Sequence, residues 1–349
     1  MIPLWVADTD FRAPAAVRRA LEARVGHGVF GYSVPPEALR AAVVEHLARR
    51  HGWRVDPSWI LFLPGVVPAL HMSARRLLGP DEHALVPRPV YQHLKRAPEF
   101  ARRPFSEVPL VLERGRWVFD LDALRAARTP RTRVFYLCNP QNPGGTVFTR
   151  QELARLAEST APCVIVSDEI HCDLVLDESA RHVPIAALDA EISRRTVTLM
   201  SANKTFNFPA AGCGWAVIED ARLREAMAAE LQAHVLPSPS VFGYTATLAA
   251  LKEGGDWLAG LIRYLRANRD LVEAGLKLPI AHVQATFLAW VDARAVPDAH
   301  ALFLRHGVAL SPGEQFGAPG FVRLNFGTQR ARLAEALRRM QQALAGAAG

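Results

Sequence analysis

Short apolar runs alternate with helical patterns through the middle of the chain. Residues 84–87, 133–138, 163–167, 196–200 and 214–218 read as strands. Several are continuous apolar stretches without in–out alternation, as expected for strands covered on both faces. Helical periodicity fills the gaps. Residues 149–160, for example, open with Thr149 and place Glu152 three positions later, a capping-box pattern. This alternation predicts an α/β fold with a mainly parallel central sheet and right-handed crossovers. Beyond about residue 241 the pattern changes. Helices are predicted over 241–252 and 257–276, then a strand over 285–291, a helix over 297–306, short strands at 308–310 and 321–324, and a last helix over 329–345. This reads as a smaller α+β unit completed by the N-terminal segment. The expected division is a large domain over 31–250 and a small domain made of 1–30 and 251–349.

Composition narrows the function. The 349 residues are 50% hydrophobic, enough for a large core. The 41 basic and 34 acidic residues leave a net charge of +7. That surplus suits either an anionic ligand or a solvated basic surface. The arginines are dispersed and form no long basic run, which favours the surface and argues against nucleic acid. Four cysteines, none in a C-x-x-C pair, point to thiols in a reducing compartment, and hence to the cytoplasm. The twelve histidines form no H-x-x-x-H or H-E-x-x-H group, so no metal site is expected. No apolar run approaches the roughly 20 residues that span a bilayer. The N-terminus, with Asp8 and Asp10, lacks the basic-then-apolar pattern of a signal peptide.

Ligands of open parallel sheets bind beyond the carboxyl ends of the strands, so the residues that follow the predicted strands are the candidates. Asn139-Pro140-Gln141-Asn142-Pro143-Gly144-Gly145 is a rigid polar loop whose amides could bond a ligand ring; a plain turn uses the same residue types. Ser167-Asp168-Glu169-Ile170-His171 puts an acid at a strand end. It suits a cationic ring nitrogen, a metal or a base role, and equally a helix cap. Ser201-Ala202-Asn203-Lys204-Thr205-Phe206-Asn207 places a lysine among apolar residues in a chain otherwise rich in arginine. In a dry pocket its amine becomes neutral and nucleophilic. Pro64-Gly65-Val66-Val67 turns an apolar run into a helix, where backbone amides bind phosphate. A phosphate cradle, an acid, a polar loop and a buried lysine are together what pyridoxal 5'-phosphate (PLP) requires.

At these residues the chain resembles fold-type I PLP-dependent enzymes, and more narrowly the MalY/PatB-type cystathionine β-lyases, or C–S lyases. The resemblance runs through W-V-A-D-T-D-F (5–11), H-G-V-F-G-Y (27–32), P-G-V-V-P-A-L (64–70), C-N-P-Q-N-P-G-G (138–145), S-D-E-I-H-C-D-L-V (167–175) and N-K-T-F-N-F-P-A (203–210). It ends with F-L-A-W-V-D (287–292), G-V-A-L-S-P-G-E-Q-F-G (307–317) and F-V-R-L-N-F-G (321–327).

The resemblance implies an aspartate aminotransferase-like α/β fold and a role for each matching residue. Lys204 would carry PLP as a Schiff base and then move protons. Asp168 would pair with the pyridinium nitrogen, Asn142 and His171 would flank the ring oxygen, and Tyr91 would stack on the ring. Gly65, Val66, Val67 and Ser201 would hold the phosphate. Tyr32 would reach the phosphate of a neighbouring subunit, which implies a homodimer. Arg323 would clamp the substrate carboxylate, and Ala7 and Asp8 would lie near the entrance.

Gly212 stands where aminotransferases of this fold usually place a phosphate-binding arginine, eight residues after the lysine, which favours the lyase pattern. Two departures stand out. Asn203 precedes the lysine where the family has serine or another small residue, and Met1 stands almost at W-V-A-D, ahead of which the family carries a further segment, so either the start is misassigned or truncated or this member lacks that segment. The expected reaction is β-elimination from L-cystathionine or a related L-cysteine S-conjugate, giving a thiol, pyruvate and ammonia. The alternatives are an aminotransferase or a specialised-pathway PLP enzyme and, further off, a PLP-fold regulator.

Overall fold

The computed structural model describes residues 1–233, 236 and 238–347. Its strands are β1 (Ile2–Pro3), β2 (Ile60–Leu63), β3 (His83–Arg88), β4 (Phe105–Glu113), β5 (Arg116–Phe119), β6 (Thr132–Cys138) and β7 (Val164–Asp168). They continue with β8 (Thr196–Met200), β9 (Gly214–Val217), β10 (Leu288–Asp292), β11 (Val308–Ala309), β12 (Ser311–Pro312) and β13 (Phe321–Asn325). Strands β2 to β9 form one sheet in the order β2-β9-β8-β7-β6-β3-β4-β5. The pairs β3–β4, β3–β6, β6–β7 and β7–β8 are parallel, while β9 runs against both β8 and β2, and β5 runs against β4. Six strands therefore share one direction, and β5 and β9 oppose it.

The central strands β6, β7 and β8 are almost wholly buried because helices cover both faces. One face packs helix Val66–Leu77 through Leu70 and Met72 onto Tyr136 and Val166. The other packs helix Arg150–Thr160 through Leu153 and Leu156 onto Phe135 and Ile165. That second helix begins with the predicted capping box between Thr149 and Glu152.

Three expectations need correction. The hairpin β4–β5 carries no predicted strand, because its side chains are largely half-buried and the apolar residues of β4 are interrupted by Pro109 and flanked by Glu107 and Glu113. Its turn, Arg114-Gly115, takes positive φ at both residues (50° and 78°), as a tight two-residue hairpin requires. The run predicted as a strand over 285–291 pairs only from Leu288 onward, because Thr286 adopts φ 77° and Ala285 bridges Val175 alone. The helix predicted from 297 starts at Ala299, after Asp298 turns left-handed.

The C-terminal part holds the antiparallel sheet β10-β13-β12 and the long helices Gly255–Gly275 and Arg330–Ala347. The N-terminal strand β1 pairs in parallel with β11, Ile2 opposite Val308, so the chain start joins this part. Among the described residues no helix is long and apolar enough to cross a membrane.

Candidate active site

Strands β2, β3, β6, β7 and β8 point the same way, so their carboxyl ends deliver their loops to one edge of the sheet. At that edge β2 leads into the helix beginning at Val66, β3 leads to Tyr91, β6 to Asn142, β7 ends at Asp168, and β8 leads to Lys204. The predicted residues from five separated segments therefore converge because of strand direction, not because of sequence proximity.

Lys204 donates from Nζ to the Ala7 carbonyl oxygen at 2.5 Å. Burial lowers its pKa, and the Arg323 charge adds to this, while Asp8 and Asp168 oppose it. Asp168 is buried, and among the described residues its carboxyl accepts only the Ile170 amide, at 3.2 Å. Burial pushes its carboxyl up to about 7, against the Ile170 hydrogen bond, and Glu169 adds to the rise. His171 is buried beside it, edge-on to Phe287, and burial together with Lys204 and Arg323 brings its pKa down to about 3. Its Nδ1 is buried without a hydrogen-bond partner. The Tyr91 amide donates to the Asn142 carbonyl at 2.9 Å, which ties these two loops together. Gln141 adds a second tie by donating to the Pro89 carbonyl at 2.7 Å.

Arg323 lies on β13 and is 5% exposed. Its guanidinium donates to Asn142 Oδ1 at 3.1 Å and to the Trp5 carbonyl at 2.9 Å, and it lies over the Phe316 ring. Its partners are neutral, and among the described residues it meets no carboxylate. Burial lowers its pKa to about 10, so it remains a cation at neutral pH. A buried cation with neutral partners is a receptor for an anion.

At the helix Val66–Leu77, Gly65 is the N-cap and no side chain caps the end. The Val66 and Val67 amides therefore lack intrahelical acceptors and sit at the positive end of the helix dipole. The backbone of residues 212–214 lies close against this turn. A Cβ on Gly212 would meet the Pro64 carbonyl oxygen at 2.9 Å, and one on Gly214 would come within 3.1 Å of Gly65. Ser201 contributes differently from expectation. Its hydroxyl donates to the Cys213 carbonyl at 2.7 Å and accepts the Asn203 amide at 3.2 Å, so here it braces the lysine loop.

Ala7 reaches Lys204 through its carbonyl, and Asp8 beside it is exposed. Tyr32 is not brought to the site of its own chain; its side chain is fully exposed. Two residues were not singled out from the sequence. Asn207, three positions after Lys204, bonds the Thr9 and Phe11 carbonyls, and Asn325 bonds the Val6 and Asp8 carbonyls. Together they strap the N-terminal segment across Lys204. Their only sequence signal is their place inside the N-K-T-F-N-F and F-V-R-L-N-F-G motifs.

The profile of the family described as "Aminotransferase class I and II" matches residues 3–340. The chain belongs to this family. Within the class I and II aminotransferases, it is 37% identical to "Cystathionine beta-lyase PatB" of Bacillus subtilis (strain 168), over 98% of this chain and 92% of that one. Its fold superposes on the crystal structure of OvoB with a TM-score of 0.94 at 40% identity, covering 98% of this chain and 92% of that one. It also superposes on the PLP-bound C–S lyase from Staphylococcus hominis with a TM-score of 0.91 at 27% identity, covering 99% and 91%.

Proposed function

We propose that this chain is a PLP-dependent C–S lyase that cleaves L-cystathionine or a related L-cysteine S-conjugate to a thiol, pyruvate and ammonia. The observation that carries the reading is one site holding Lys204, a buried carboxyl that forms no close ion pair, and a buried guanidinium that meets no carboxylate, among the described residues. Asp168 and Arg323 are those two groups.

The residues fit PLP. The buried Asp168 accepts a single hydrogen bond and suits a protonated ring nitrogen. The open amides of Val66 and Val67 suit the phosphate. The unpartnered His171 Nδ1 and the side chains of Asn142 and Tyr91 suit the ring, and Lys204 Nζ would hold PLP covalently. Bound PLP supplies a sink for the electron pair left at the substrate α-carbon.

The chain supplies the rest. Arg323 binds the substrate carboxylate and thereby fixes the α-carbon. The Lys204 amine, whose pKa burial lowers, would take the α-proton as general base once the substrate amine has displaced it. Asp168 keeps the ring nitrogen protonated. The thiolate departs from the β-carbon, and the unsaturated amine product hydrolyses to pyruvate and ammonia. Gly212 favours this over amino transfer, because the close Pro64 carbonyl leaves no room there for a phosphate-binding arginine.

The relatives support the same reading: one is named a cystathionine beta-lyase and one a PLP-bound C–S lyase. We place the enzyme in the cytoplasm, as the four buried free cysteines suggest. Its active unit is a homodimer in which the exposed Tyr32 serves the partner's phosphate site. Trp5, Val6, Val29 and Phe30 are likewise exposed on the N-terminal segment and suit such an interface. Residues 31–250 act as the PLP-binding domain, and 1–30 with 251–349 as the small one.

The test is purified protein with L-cystathionine. A yellow protein that releases pyruvate and thiol, and a colourless Lys204→Ala variant that releases neither, are expected. Transfer that consumes a keto acid stoichiometrically would make it an aminotransferase. Wild-type elimination by Lys204→Ala would overturn the mechanism.

A further inference from the structure

A second cluster lies behind the acid-bearing segment, two residues beyond His171. Asp173 is buried, and two histidines of helix Glu37–His51 converge on it. His46 Nε2 stands 2.9 Å from Asp173 Oδ2, and His51 Nε2 stands 3.4 Å from Asp173 Oδ1. Both imidazoles are nearly shut off from solvent, with 5% and 3% of their side chains exposed. One ligand atom from each of the three residues lies within 4.8 Å of the others.

The second observation is at His51. Its Nε2 is buried and aimed at Asp173, yet it has no hydrogen-bond partner. An ordinary His–Asp pair needs one imidazole, and His46 already fills that role. The cluster also faces a cavity of about 1000 Å³, which His46, His51, Cys172 and His182 help to line. His182 packs edge-on to His51 with ring centroids 5.2 Å apart, and its Nε2 is held by Glu169 at 2.7 Å. The cavity thus lies on the outer side of the cluster, while its inner side is held by other polar residues.

We propose that His46, His51 and Asp173 form a divalent transition-metal site with an open position toward the cavity. Two imidazoles and one carboxylate match zinc, with water completing the shell. Arg50, whose Nε lies 3.4 Å from Asp173 Oδ1, is the competing cation, and its side chain is 44% exposed. A metal here would join helix Glu37–His51 to the segment that carries Asp168 and His171. No sequence spacing announces this set, since His46 and Asp173 are 127 residues apart.

The test is titration of the chelator-treated, PLP-loaded protein with Zn2+ by calorimetry and with Co2+ by visible absorption. Wild type is expected to bind one equivalent per chain, give the d–d bands of low-coordinate Co2+, and melt at a higher temperature with Zn2+. His51→Gln should weaken binding at least about 100-fold, as expected when a ligand is lost. Asp173→Asn is the second variant, and the far-ultraviolet dichroism and yellow colour of both report whether they fold. Binding of equal strength in wild type and a folded His51→Gln, or no stoichiometric binding in wild type, would overturn the proposal and leave a buried hydrogen-bonded cluster.

Discussion

The buried guanidinium of Arg323 donates to the side-chain oxygen of Asn142 at 3.1 Å, across 181 residues of sequence. The contact links the small C-terminal sheet to the polar loop after β6. Asn142 orients the cation without neutralising it.

Replacing that arginine separates binding from chemistry. Arg323→Lys keeps a charge but loses the planar fork and the packing on Phe316. kcat/KM for an α-amino acid substrate is expected to fall about 10²-fold or more, on the order of 3 kcal/mol, mostly through KM. A substrate analogue lacking the carboxylate should show little change. Steady-state kinetics with both compounds check this, and an equal loss with both would remove Arg323 from carboxylate binding.

Asp168 carries a pH signature. In the cofactor-free chain burial raises its carboxyl to about 7 from an ordinary value of 3.8. The folded state therefore holds this proton more tightly than the unfolded state does. Ionisation penalises the fold as pH rises from about 4 to about 7, by roughly 4 kcal/mol in full. Urea unfolding of PLP-free protein should show this loss, and Asp168→Asn should lack it and be the more stable at pH 8. The same variant with PLP should lose about 10²-fold or more in turnover, because the ring nitrogen loses its anion. An Asn variant less stable than wild type at pH 8 would contradict the account.

Much of this site is legible in the sequence because strand ends announce it. The apolar runs that become β6, β7 and β8 are continuous, so their polar successors stand out, and Lys204 stands out in a chain with few lysines. What hides is pairing at a distance. Asn207 and Asn325 matter because they hold carbonyls of residues 6–11 over Lys204, and nothing local to either asparagine shows that. The hairpin β4–β5 hides for another reason. Half-buried strands near the sheet edge mix apolar and charged residues, and the Arg114-Gly115 turn is their clearest mark. Ser201 illustrates a third limit, since a hydroxyl at a phosphate-like position can equally brace its own loop, as it does toward Cys213.

Gly212 is expected to tolerate no side chain. A Cβ there would stand 2.9 Å from the Pro64 carbonyl oxygen, a backbone atom that cannot rotate away. Gly212→Ala should therefore push the turn at Gly65 and disturb the amides of Val66 and Val67. A loss of about 1–3 kcal/mol in stability is expected, with faster release of PLP on dialysis. Melting curves and the decay of visible absorbance measure the two effects. Unchanged PLP retention would separate the glycine from the phosphate cradle.

Tyr32 offers the sharpest test of a shared active site. Its side chain is fully exposed in the single chain, whereas Lys204 is enclosed by its own fold. If Tyr32 serves the neighbouring subunit, the two defects lie in different sites of a mixed dimer. A Lys204→Ala chain still presents Tyr32, and a Tyr32→Ala chain still presents Lys204. Pairing them rebuilds one complete site from two inactive or weakened chains. Co-refolding the two variants should recover pyruvate release above either homodimer alone, with one PLP per mixed dimer. Recovery no greater than the sum of the separate variants would place Tyr32 outside the partner's site.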